Sequence, residues 1–413
     1  MVTIQNDNLN NPFIGEDNCV PHFQPIVSVE SRKIVGYEVL GRLFSPEKSQ
    51  YFSLGAFFHN RNTSFSERVR IDRIIREKAI RYWKETGIQG VNLFFNLMPN
   101  ILSSLHQEDL LDINRFHLAQ LINKYEINKS DVVIEITEDE FNGKQERLIS
   151  MIELYKANGF RIAVDDVGTG FSNLERIGYI HPDIIKVDIK IMRESLNKNS
   201  FRQVLLAVSE MASKLGSELL FEGVETEKEL NLAFSMGASL IQGFYFSASC
   251  PEFINRETFS AKLQDSIEKY SGLHFMEVVE KNMKSAQLIE SILQAVNESS
   301  FSHSSVTERP DEILTALPAT VYKAFLLDLN GNQISPTYFR SGEENWSTSY
   351  KDIGNNLSWK PYFIRHKAKN YLEKTKWTVT RPQFDIVLQK NYLILYYNLN
   401  EKVLLNLFID YDS

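Results

Sequence analysis

The chain has 413 residues and a mass of 47.7 kDa; at roughly 150 residues per domain it holds two or three domains, which excludes a single small module. With 43% hydrophobic and 24% charged residues it has material for packed cores, which excludes wholesale disorder. Lys and Arg number 45 against 53 Asp and Glu, a formal charge of -8, so no global basic field exists for duplex nucleic acid and an anionic substrate must be held locally.

The opening MVTIQNDNLNNPF has neither the basic start nor the apolar core of a signal peptide, and no apolar run approaches the roughly 20 residues of a membrane span. Cys19 and Cys250 supply neither a disulfide framework nor a thiolate metal site. A soluble, cytoplasmic protein is expected. Residues 1–252 then alternate short apolar runs with longer amphipathic stretches, the pattern of β/α units around a parallel sheet. The runs begin at Phe23 (FQPIVSV), Ile34 (IVGYEVL), Asn92 (NLFFNL), Val132 (VVIEIT), Arg161 (RIAVDD), Ile184 (IIKVD), Leu219 (LLFEGV) and Leu240 (LIQGFYF). Eight in order predict an α/β fold, a TIM-type (β/α)8 barrel. Only Glu30 to Lys33 separate the first two, whereas a parallel crossover needs a dozen residues or more, so one barrel strand is antiparallel.

Residues 253–300 read as a linking helical segment, with Val278, Val279, Met283, Ala286, Ile289, Ile292, Leu293 and Val296 spaced by threes and fours. The polar SSFSHSSVTERPDE from Ser299 reads as a loop or linker. Within residues 301–413 the runs VYKAFLLDL, FDIVLQ, YLILYYNL and KVLLNLFID predict strands, and LNGNQIS a turn, outlining a small α+β domain.

Nearly every barrel run ends on a polar or charged residue: Glu38, Asn96, Glu135, Asp165 with Asp166, Lys186 with Asp188, Glu222 with Glu225, and Gln242. In a (β/α)8 barrel these ends converge on one face, where active sites are built. Each singly is explained as a cap of the following helix. Glu135 and Lys186 resist that, lying between apolar neighbours where an unpaired charge is costly. Several oxygen donors without His or Cys suit Mg2+ or Mn2+ rather than zinc. Adjacent Asp165 and Asp166 suit two ions that clamp a phosphate diester and activate water. Lys186 either holds that water or is the buried partner of Asp188, and Gly168-Thr169-Gly170 is a turn or a phosphate cradle.

FQPIVSVESRKIVGYEVLGR, VVIEITE, AVDDVGTGFSNL, IIKVD, FEGVE and IQGFYFS, in this order, resemble the EAL-domain family of cyclic-di-GMP phosphodiesterases over roughly the first 250 residues. The resemblance implies hydrolysis of cyclic di-GMP to linear pGpG, with Mg2+ or Mn2+ as cofactor and Ca2+ binding but inhibiting. It places Glu38, Asn96, Glu135 and Asp165 at one metal and Asp165, Asp166 and Glu222 at the second. Lys186 would hold the attacking water, and Glu138 would support the loop after the aspartates. Gln24, Leu40, Arg42, Asp188, Glu225 and Gln242 would contact nucleotide. The family also implies a homodimer, and the C-terminal region resembles PAS-like sensor domains with an unknown small-molecule or protein ligand.

Four positions depart from the family pattern: Val39 for Ala, Met98 for Ser, Val167 for Phe and Ser249 for Pro. No metal ligand is lost, while Val167 offers less bulk to pin the loop carrying Asp166. A cyclic-di-GMP receptor with little turnover is therefore the alternative to an enzyme. Without the resemblance, an enolase-like enzyme using Lys186 as base stays open. The aromatics from Trp359 to Phe363 line a ligand pocket or form ordinary core.

Overall fold

The computed structural model describes residues 14–60, 62–97, 112–136, 145–167, 173–298, 311–342, 345–385, 388 and 390–411. The chain divides into two compact units, residues 1–272 and 273–413.

In the first unit the eight apolar runs form eight strands: β1 (Cys19–Ser28), β2 (Ile34–Ser45), β4 (Asn92–Leu97), β5 (Val132–Ile136), β6 (Arg161–Val167), β7 (Ile184–Val187), β8 (Glu218–Phe221) and β9 (Leu240–Gln242). A short β3 (Gln50–Ser53), which the sequence analysis missed, pairs with β2 as a hairpin. β1 runs antiparallel to both β2 and β9 and closes the barrel, and every other barrel pairing is parallel. The expected antiparallel strand is therefore β1.

Strand residues of one parity pack outward against the helices, as Leu93, Ile134, Ile162, Ile185 and Phe221 do, and those of the other parity point to the barrel axis. One layer of the interior is apolar: Ile26, Phe94, Val133, Ala163, Ile184, Leu220 and Leu240, with Val35 against it. Gly36 completes the β2 side because a Cβ there would lie 2.6 Å from the Phe94 ring. Two residues toward the mouth, the same parity gives Gln24, Glu38, Asn96, Glu135, Asp165, Lys186, Glu222 and Gln242. The period-two rule thus stacks a polar layer on an apolar one.

The linking helix spans Ser260–Glu298, starting later than expected, and contains the boundary between the units. Its apolar stripe divides: Leu288, Ile289, Ile292, Leu293 and Val296 pack in the second unit, whereas Val278 and Met283 are exposed.

The second unit is an antiparallel sheet of β10 (Val321–Asp328), β11 (Thr337–Arg340), β12 (Trp346–Ser349), β13 (Trp377–Val379), β14 (Gln383–Asp385), β15 (Lys390–Asn398) and β16 (Val403–Asp410). One face carries the end of the linking helix together with Ile313, Leu314 and Leu317. The other packs Phe325, Leu327, Ile394, Tyr396 and Leu404 against Phe363 of the helix Pro361–Glu373. From the aromatic stretch Phe363 is core, Tyr362 packs at its edge and Trp359 is exposed.

Candidate active site

At the mouth, Lys186 is the hub. Its Nζ lies 2.6 Å from Glu135 Oε1, 3.1 Å from Asp165 Oδ2 and 2.5 Å from Glu222 Oε1, and Lys186 and Glu135 are fully buried. Glu38 joins the other side of the ring, accepting from Asn96 Nδ2 at 3.1 Å and Gln242 Nε2 at 2.6 Å. Asp188 instead caps the helix Ile189–Ser195, accepting from Lys190 N at 2.7 Å. The buried partners of Lys186 are thus the three acids, and Asp188 has the capping role that strand-end acids commonly take.

The two aspartates sit where the β6–β7 ladder slips between Val164 and Val167. Asp166 has φ 58°, a left-handed conformation that a short polar residue tolerates, and its N–H donates to Asp165 Oδ1 at 2.8 Å. This irregularity brings both neighbouring carboxylates to the mouth, where a regular strand would put them on opposite faces. Val167 beyond it is buried and paired with Val187.

Five carboxylates share this mouth with one buried ammonium. Burial pushes Glu135 up to about 8, against the pull of Lys186 and with help from Glu38 and Asp165. Burial likewise lifts Asp166 to about 6, reinforced by Asp165 and Asp188, and raises Glu222 well above the usual range. Burial disfavours the charged form of Lys186, but Asp165, Glu135 and Glu222 outweigh it and hold the ammonium. That form donates hydrogen bonds and neutralises the acids around it.

The raised carboxyls carry a sign for stability. Glu135 and Asp166 bind protons more tightly folded than unfolded, so their favourable contribution is complete below about pH 4 and is lost as pH rises through about 6 and about 8. Without divalent cations the protein should therefore lose stability between about pH 4 and pH 8, measured by denaturant unfolding in chelator. A flat profile there would contradict the crowded-acid reading.

Glu135 Oε2 is buried with no hydrogen-bond donor among the described residues, while Glu135 Oε1 and Glu222 Oε1 meet only the Lys186 ammonium. Such hard oxygens, short of donors, fit a divalent cation. Among the described residues no trio of acids forms a ready-made metal cage; Lys186 lies among them instead.

Beside this cluster opens a cleft of about 270 Å³ lined by Gln24, Glu38, Leu40, Arg42, Glu222, Glu225, Gln242 and Ser249, among others. Every nucleotide-contact candidate except Asp188 is there. Glu225 also pairs with Arg193 at 2.9 Å. Glu138, Met98 and Gly168-Thr169-Gly170 lie outside the described residues.

Two supporting residues escaped the sequence reading. On the helix Phe65–Thr86, Arg76 Nη2 donates to the Asn96 carbonyl at 2.7 Å, while its Nε lies 2.8 Å from Asp72 Oδ2. This pair ties the end of β4, and so Asn96, to the outer helix. The signal was a charged residue four after another on the apolar face marked by Ile71, Ile75 and Ala79.

Comparisons with known proteins agree with this fold. The EAL domain profile matches residues 7–249, and that of an EAL-domain associated signalling protein domain matches residues 253–412. The EAL-domain containing protein YkuI of Bacillus subtilis (strain 168) is 29% identical over 354 residues, 85% of this chain and 84% of that protein. The crystal structure of B. subtilis YkuI in complex with substrate c-di-GMP and calcium aligns with a TM-score of 0.86 at 27% identity, covering 97% of this chain and 98% of that one. The probable cyclic di-GMP phosphodiesterase PdeB of Escherichia coli (strain K12) is 29% identical over 247 residues, 59% of this chain and 45% of PdeB. With the profile spanning more than half of the sequence and all eight barrel strands, the chain belongs to the EAL domain family.

Proposed function

We propose that this chain binds cyclic di-GMP at the barrel mouth and hydrolyses one of its two phosphodiester bonds, adding water to give linear pGpG. The carrying observation is the set of three carboxylates within 3.1 Å of buried Lys186, with Glu135 Oε2 left without a donor, beside the cleft that holds Glu38 and Arg42. Support comes from relatives: one is a probable cyclic di-GMP phosphodiesterase, and YkuI holds c-di-GMP and calcium.

Glu38, Asn96, Glu135, Asp165, Asp166 and Glu222 would hold Mg2+ or Mn2+, which when bound supply charge to stabilise the phosphate and acidify water. Asp165, next to Asp166 and beside Lys186, would serve both metal sites. Lys186, as an ammonium, orients the attacking water and offsets charge building on the phosphate. Arg42 lines the same cleft and would meet the phosphodiester, while Gln24, Leu40, Glu225 and Gln242 would contact the nucleotide; Asp188, a helix cap outside the cleft lining, has no such place. Glu138 would support the loop after the aspartates.

The test is incubation of the full chain with cyclic di-GMP and Mn2+, Mg2+ or Ca2+, with chromatographic detection of pGpG. Product with the first two and none with Ca2+ is expected. Tight binding without product under any ion would make the barrel a receptor, and absence of both would overturn the reading. The second unit is assigned a regulatory role on a small-molecule or protein ligand. The assembly is assigned as a homodimer, for which light scattering should give about twice 47.7 kDa.

A further inference from the structure

We propose that Ser249 is a positioning residue for the nucleotide phosphate, acting through Arg42. The inference rests on the cleft being the cyclic di-GMP site. Arg42 is only 9% exposed, yet among the described residues no carboxylate lies within ion-pair distance of it. Two of its donors are committed: Nη1 to the Gly41 carbonyl at 3.0 Å and Nη2 to Ser249 Oγ at 2.9 Å. A guanidinium has five N–H groups in a fixed fork, so fixing two directions aims the rest. Both side chains line the cleft. A desolvated cation at the wall of a cleft, which feels Glu38 of the same cleft but has no carboxylate in ion-pair contact, is a site for an anion, and a phosphodiester supplies one.

Ser249 is itself held. The residue after it, Cys250, exchanges backbone hydrogen bonds with Phe23 of β1, N to O at 3.0 Å and O from N at 2.7 Å. The Ser249 carbonyl accepts from His22 Nδ1 at 3.3 Å. The hydroxyl is therefore carried on a segment latched to the antiparallel strand, and Arg42 is set before ligand arrives. Such preorganisation saves the ordering cost of a long side chain on binding. The proline that the family pattern places here offers no hydroxyl, so this chain anchors its arginine by its own device.

The experiment measures cyclic di-GMP affinity of the full chain by calorimetry in Ca2+ for wild type, Ser249→Ala, Ser249→Thr, Arg42→Ala and the Ser249→Ala/Arg42→Ala double variant. Loss of a hydrogen bond to a charged group predicts roughly tenfold weaker binding for Ser249→Ala. Ser249→Thr, which keeps the hydroxyl, should restore it. In the Arg42→Ala background the serine change should add less than about twofold, because its effect travels through the arginine. Unchanged affinity of Ser249→Ala, or the full loss persisting without Arg42, would overturn the proposal. If wild type itself does not bind, the functional reading fails first and is recognised by that control.

Discussion

Lys186→Met should cost the metal-free protein about 3–5 kcal/mol, the typical penalty for leaving a buried charge without its partner, and should abolish hydrolysis of cyclic di-GMP. The cost follows from position: the ammonium is 1% exposed and within 3.1 Å of three carboxylates, which have no other cation at that range among the described residues. Part of it can be avoided by protonation, since Glu135 already titrates near 8. The loss should thus be smaller at pH 6 than at pH 9. Mn2+ should recover much of the stability by replacing the missing charge, and it should not recover turnover, because water is no longer oriented. Denaturant unfolding in chelator and in Mn2+, with pGpG measured in parallel, checks both halves. Wild-type stability in chelator would mean that the acids do not depend on Lys186, and wild-type turnover would remove it from the chemistry.

The barrel was legible because each strand is buried on both faces and writes a short apolar run, and because only four residues join the first two. The site was legible for the complementary reason. A charge inside such a run, as at Glu135 and Lys186, breaks the rule that builds the core, and the stacking of polar on apolar layers shows that all eight interruptions share a level. What escaped is structure held by context. β3, the interior strand β11 and the outer strands β12 and β13 are only three or four residues long, too short for alternation to mark them. The helix Pro361–Glu373 hid inside an aromatic stretch whose proline is in fact its N-terminal signal. The stripe from Val278 to Val296 has one periodicity but two environments, and periodicity carries no information on where a partner begins. Val167 sits in packed core, so a phenyl ring there meets crowding, and Val167→Phe tests packing along with loop order.

Glu38→Ala should lower hydrolysis by more than about 10²-fold, the upper end of losses seen when mere supporters of metal ligands are removed, while leaving the barrel folded. Glu38 differs from Lys186 in what it leaves behind. Its partners are two neutral amides, Asn96 Nδ2 and Gln242 Nε2, at the edge of an open cleft where water can replace it. Its removal also takes one negative charge from a cluster with a surplus, and that charge is among those raising Glu135 and Glu222. The metal-free variant should therefore be as stable as wild type at pH 6 and more stable at pH 9, the opposite sign to Lys186→Met. The stabilisation gained on adding Mn2+ should shrink, because a hard oxygen ligand is gone. Opposite stability effects with a shared loss of pGpG would mark one electrostatic unit in which the lysine compensates the acids and the acids await a cation. Unchanged turnover in Glu38→Ala would break the assignment of this carboxylate to a metal, and an unchanged Mn2+ increment would place the ion elsewhere in the mouth.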